Sequence, residues 1–109
     1  MSTPSVDAYI AALPTALNDI ATELRDLLNR EVGTGFETVW HGHPVWKNGK
    51  NPVAGFKAYS SHLTFMMWKA TNVTDLDAGP NGMANIKLRA AQDLDVPMFS
   101  KWLSQLDTP

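Results

Sequence analysis

Apolar residues recur along this chain with two different periods, and the change of period separates helical ends from a strand-forming middle. Ser5 is placed to cap a short helix that runs through Ala8, Tyr9 and Ile10 towards Leu13. Pro14 can open a second helix, because its missing N–H costs nothing in a first turn. Leu17, Ile20, Ala21, Leu24, Leu27 and Leu28 then follow the helical period and form one apolar stripe. Asp19, Glu23, Asp26 and Arg30 fall on another face, and Gly33 and Gly35 favour termination.

From Phe36 the period shortens and β-branched and aromatic residues take over. Phe36 to His41 reads as a strand, Gly42 and Pro44 interrupt it with a turn or bulge, and Val45 to Lys47 reads as a second strand. Asn48-Gly49 is a strong hairpin signal. Pro52 keeps the start of the next strand, Val53 to Ala58, at an edge or outside the ladder. Tyr59-Ser60-Ser61 is a turn, and His62 to Lys69 is expected to be the longest strand. Leu63, Phe65 and Met67 share one of its faces, and Thr64, Met66 and Trp68 the other.

A polar loop covers residues 70–82, and Ala84 to Arg89 alternates again, with Ile86 and Leu88 inward and Lys87 and Arg89 outward. Asp95 can cap a last helix whose buried stripe is Val96, Phe99, Trp102, Leu103 and Leu106. The order predicts an α+β fold: an antiparallel sheet of four to five strands, with two N-terminal helices and one C-terminal helix on one face. The other face, carrying Met66, Trp68 and their cross-strand neighbours, is left with fewer helices to cover it.

Composition narrows the class. With 109 residues, 44% of them hydrophobic and 18% charged, the chain is expected to form one globular domain over residues 1–109. It has no cysteine, which excludes disulfides, thiol nucleophiles and thiolate metal sites and suits a reducing cytoplasm. Met1-Ser2-Thr3-Pro4 lacks the basic and apolar run of a signal peptide, and no apolar stretch is long enough for a membrane span. Charge is unevenly placed. Residues 1–37 hold six acids and two bases, residues 38–74 four lysines and no acid, and residues 75–109 five acids and three bases. A basic, aromatic middle therefore lies between acidic flanks.

Several segments, taken in order, resemble the YdhG-like bacterial domains. They are Val6-Asp7-Ala8-Tyr9-Ile10-Ala11-Ala12-Leu13-Pro14 with the Leu24-Arg25-x-Leu27 helix, Trp40-His41-Gly42-His43-Pro44-Val45-Trp46, the hairpin Phe56 to Phe65, and Ile86-Lys87-Leu88-Arg89. The likeness runs from residue 5 to residue 106. It implies an α+β fold. It implies little chemistry, because most members are of unknown function, although some have been proposed as frataxin-like iron chaperones. Iron is thus an expectation from the resemblance alone. After Phe65 this chain departs from the pattern, with Met66-Met67-Trp68 where many members have an aromatic-proline pair.

Four constellations could carry chemistry. Glu37, His41 and His43 would lie on one side of a strand regular through Gly42, a set suited to zinc, iron or copper that His62 could complete from an adjacent strand. Alternatively, the two histidines flank a turn and bond locally. Asp19, Glu23 and Asp26, with Asp7 nearby, could collect hard cations, or form the ordinary solvent face of a helix beside Arg25 and Arg30. Trp40, Trp46, Lys47, Lys57, Met66 and Trp68 could make a binding surface for a small molecule or a protein partner. The competing reading puts the tryptophans in the core and makes the lysines solubilisers. Finally, Ser60, Ser61 and His62 are adjacent but lack an orienting acid, and neither Asp75-x-Asp77 nor Gly79-Pro80-Asn81-Gly82 completes a calcium or phosphate loop.

The expectation is therefore a cytoplasmic, non-enzymatic domain binding a ligand or partner on the aromatic sheet face, with no catalytic set. Iron handling is the alternative, and a small-molecule enzyme is a third class without residue support. Self-association through the open face would bury the same tryptophans. Nucleic acid is not expected, because the chain is acidic overall and lacks clustered arginines.

Overall fold

Ser5 begins the first helix as its composition demands: its Oγ accepts the Ala8 N–H at 3.1 Å, and α1 spans Val6–Ala11. The computed structural model describes residues 5–106; the expectation for Met1-Ser2-Thr3-Pro4 lies outside the described residues. Pro14 precedes α2, Thr15–Glu31, and all six residues of the predicted stripe are buried. The helix stops at Gly33, whose φ of 137° few other residues adopt.

Five strands follow: β1 (Glu37–Trp40), β2 (His43–Asn48), β3 (Asn51–Ala58), β4 (Leu63–Met67) and β5 (Ala84–Leu88). They form one antiparallel meander in chain order. A short 3₁₀ turn over residues 91–93 leads to α3, Val96–Leu103, where the Asp95 carboxylate accepts the Met98 N–H at 3.1 Å. The α+β class and the placing of helices at both chain ends are as the patterning predicts. Among the described residues no helix is long and apolar enough to cross a membrane.

The expected interruption at Gly42 is a hairpin turn, and the straight strand that the Glu37, His41 and His43 set requires is absent: Trp40 pairs with His43, so His41 and Gly42 are the two turn residues, with φ of 52° and 83°. Two successive positive φ angles match the right-handed strand twist. In the next hairpin Asn48 pairs with Asn51, so the loop is Gly49-Lys50 rather than Asn48-Gly49. The longest strand is β3, not β4, which ends at Met67 before Lys69 turns to a φ of 55°.

Opposite Trp46 the β2–β3 ladder skips a residue: Trp46 pairs with Ala54 and Lys47 with Pro52. Val53 is the extra residue of this bulge, which brings it into the core beside Ala54. The helix side of the sheet is a continuous apolar surface made by Trp46, Phe56, Leu63, Phe65, Met67 and Leu88, all fully buried. The first two helices pack over it, α1 on β1 and β2, and α2 on β3 and β4. Phe99 of α3 stacks on Phe65, with ring centroids 5.1 Å apart.

Candidate functional site

Alternation and register place Trp40, His43, Val45, Lys47, Gly55, Lys57, Met66 and Lys87 on the sheet side away from the helices, with Trp68 following at the end of β4. Val45 is 0% and Met66 9% exposed, yet neither belongs to the core under the helices. A second, smaller apolar layer therefore exists on the open side, and the indoles explain it. Trp40 on β1 and Trp68 after β4 start three strands apart, about 14 Å at ordinary strand spacing. Their ring centroids nevertheless lie 6.1 Å apart at 74°. The two rings lean towards each other over the middle row, Val45-Gly55-Met66, and roof it. Both remain half-exposed on top.

Gly55 holds the centre of that row. A Cβ there would stand 2.4 Å from the Pro44 carbonyl oxygen and 3.1 Å from the Val45 Cα. Only glycine permits this approach of β2 and β3.

His43 lies under the same roof, 8% exposed, its ring edge-on to Trp40 at 6.5 Å. Its Nδ1 is buried without a hydrogen-bond partner. Burial pushes the imidazole below its ordinary value; the Pro44 backbone opposes this, while the positive charge of Lys57 and the neighbouring His41 add to it. The Lys47 ammonium sits 5.5 Å from the centre of the Trp40 ring, and that of Lys57 sits 5.4 Å from the ring of exposed Tyr59. Glu37 is the sole acid in the five strands, and it points to the helix side. Among the described residues, the strands thus present three lysines and no carboxylate on the open face.

Five of the six expected binding residues, Trp40, Lys47, Lys57, Met66 and Trp68, share this face. Trp46 does not. It is 0% exposed in the main core, with its Nε1 donating to the Asn29 Oδ1 at 2.9 Å. Alternation reverses at the His41-Gly42 turn, so adjacent Val45, not Trp46, comes to the open side.

The same turn separates the expected metal set. Glu37 faces the helices, where the Arg25 guanidinium grips both its oxygens at 3.0 Å and 2.6 Å and also bonds to Asp7. These bonds hold Arg25 charged, well above the ordinary guanidinium range. His41 is exposed in the turn, and His43 lies on the opposite sheet face from Glu37. Among the described residues no group of three or more potential ligands could hold a metal ion. Asp19, Glu23 and Asp26 are exposed on α2, the last two beside Arg30 in a groove against Val96 of α3. His62 stacks on Tyr59 at 4.8 Å rather than approaching His41 or His43.

No family model matches the chain, and neither does any curated protein or solved structure.

Besides the open face, two adjoining grooves run between α1 and β1. One, of about 470 Å³, is lined by Ser5, Ala8, Tyr9, Val39 and Gly42. The other, of about 240 Å³, is lined by Asp7, Arg25 and Glu37 among others. Their polar groups are already engaged: Arg25 binds both carboxylates, and the Tyr9 hydroxyl accepts the Ala58 N–H at 2.8 Å. Lys87, Val45 and Gly55 are open-face residues that the sequence reading did not assign to a site. Outward alternation marked Lys87, but its neighbours depend on register.

Proposed function

We propose that the protein is a non-catalytic binding domain whose working surface is the open side of its sheet. One observation carries this reading: among the described residues, a sheet face that no helix covers bears two partly exposed tryptophans among three lysines, with no acid on its strands. Apolar surface of this kind, rimmed by one sign of charge, is typical of recognition sites. The α1 grooves support it less, because their charged groups are spent on holding α1, α2 and β1 together. Kinship with the YdhG-like domains belongs to the same reading and rests on the sequence segments that resemble them. Iron handling is not favoured by any ligand set among the described residues.

The test is a thermal-shift screen of the intact chain against metabolites, peptides and metal ions, since a ligand of the folded state raises its apparent stability. Hits should lose their effect in Trp68→Ala and in Lys57→Ala. Hits that survive both substitutions but vanish in Tyr9→Phe or Arg25→Lys would move the working site to the α1 grooves.

A further inference from the structure

Resting on the open-face reading, we infer that the occupant is a short acidic segment of another protein that carries a large apolar side chain. Charge complementarity selects it. Lys57 and Lys87 are exposed in one row of the sheet, two strands apart, and Lys47 closes the other end of the patch. Strand spacing puts the first two about 10 Å apart. That distance suits carboxylates about three residues apart in an extended peptide, while the tops of the Trp40 and Trp68 rings offer an apolar seat between this pair and Lys47.

The same geometry argues against other occupants. A cationic group would meet the Lys47 ammonium, which already occupies the Trp40 ring. A small anion would find lysines exposed to solvent, whereas small-molecule sites are enclosed clefts. Nucleic acid offers phosphates and stackable bases, but the protein's charge opposes a long polyanion. The chain has a net charge of −2, and Asp19, Glu23 and Asp26 are exposed on α2, behind the sheet. A polyanion long enough to pass the sheet edge meets that side. A segment confined to the face responds to the lysines within the screening length of about 8 Å at physiological salt.

The experiment is an NMR titration of the full chain, following the four tryptophan indole N–H signals. The probes are a short peptide of Asp and Glu around one Phe, its Asn/Gln counterpart, and a short oligo(dT). The acidic peptide should shift the signals of Trp40 and Trp68 and leave those of Trp46 and Trp102 in place. Added salt should weaken it, and Lys57→Glu with Lys87→Glu should weaken it about tenfold or more, as for charge pairs at recognition surfaces. Both lysines are exposed, so the doubly substituted chain should keep a folded spectrum. Equal shifts with the Asn/Gln peptide would overturn the acidic partner and leave the open face as the site. Preferential shifts with oligo(dT) would overturn it in favour of nucleic acid. If peptides bind while Trp40 and Trp68 stay still, both this inference and the open-face function fall.

Discussion

Trp40 and Trp68 do two things at once: they seal a small apolar layer on the bare side of the sheet, and they offer their outer surfaces to solvent. Because the rings touch each other, their contributions should not be independent. Trp40→Ala and Trp68→Ala are each expected to destabilise the protein, and a double-mutant cycle in denaturant should show a coupling of about 1 kcal/mol, as for other aromatic pairs. Gly55→Ala is expected to cost about 2–3 kcal/mol, because its Cβ drives into the Pro44 carbonyl, which belongs to a paired strand and cannot yield freely. Denaturant midpoints check both. His43 gives a pH signature whose sign is fixed. Its folded value lies below the ordinary 6.5, so the unfolded chain takes up the proton first. Stability from this group is whole above that value and is lost as pH falls below it towards the folded value. Melting temperature should therefore decline as pH falls below about 6.5, and His43→Gln should flatten that decline. An unchanged slope in the variant would assign the effect to another group.

At the scale of elements, periodicity was a reliable guide wherever one face is buried. The stripe from Leu17 to Leu28, the caps Ser5 and Asp95, and the alternation Leu63-Phe65-Met67 against Thr64-Met66-Trp68 all stand in the structure as patterning predicts. What alternation could not supply was the parity across turns. One residue's difference at His41-Gly42 decided that Val45 rather than Trp46 faces outward, and it broke the Glu37, His41 and His43 set. The bulge at Val53 was likewise invisible, since its sequence signal is no stronger than that of any Val in a strand. Pairings between elements were also hidden. Arg25 and Glu37 are twelve residues apart with no periodic relation, yet they join α2 to β1, while Asp7 reaches the same guanidinium from α1. Arg25 and Glu37 are partly buried, whereas the Asp7 side chain is 80% exposed. Arg25→Ala should thus cost about 1–2 kcal/mol, as expected when a partly buried carboxylate loses its charged partner, and Asp7→Ala no more than about 0.5 kcal/mol. Urea unfolding of the two variants compares them directly.

For the molecule as a whole, the helices, their exposed acids and Glu37 gather on one side of the sheet, and Lys47, Lys57 and Lys87 with the Trp40 and Trp68 indoles on the other. The uneven charge of the three sequence segments foreshadowed this polarity, but Lys87 joins the basic side only through the position of β5 beside β4. The layering determines the function we propose: one face builds the core and frees the other to meet a partner. That layering can be tested without knowing the partner. A soluble paramagnetic agent broadens NMR signals according to their distance from solvent. Added to the free protein, it should broaden the indole signals of Trp40 and Trp68 and spare those of Trp46 and Trp102. Equal protection of all four would contradict a bare sheet face.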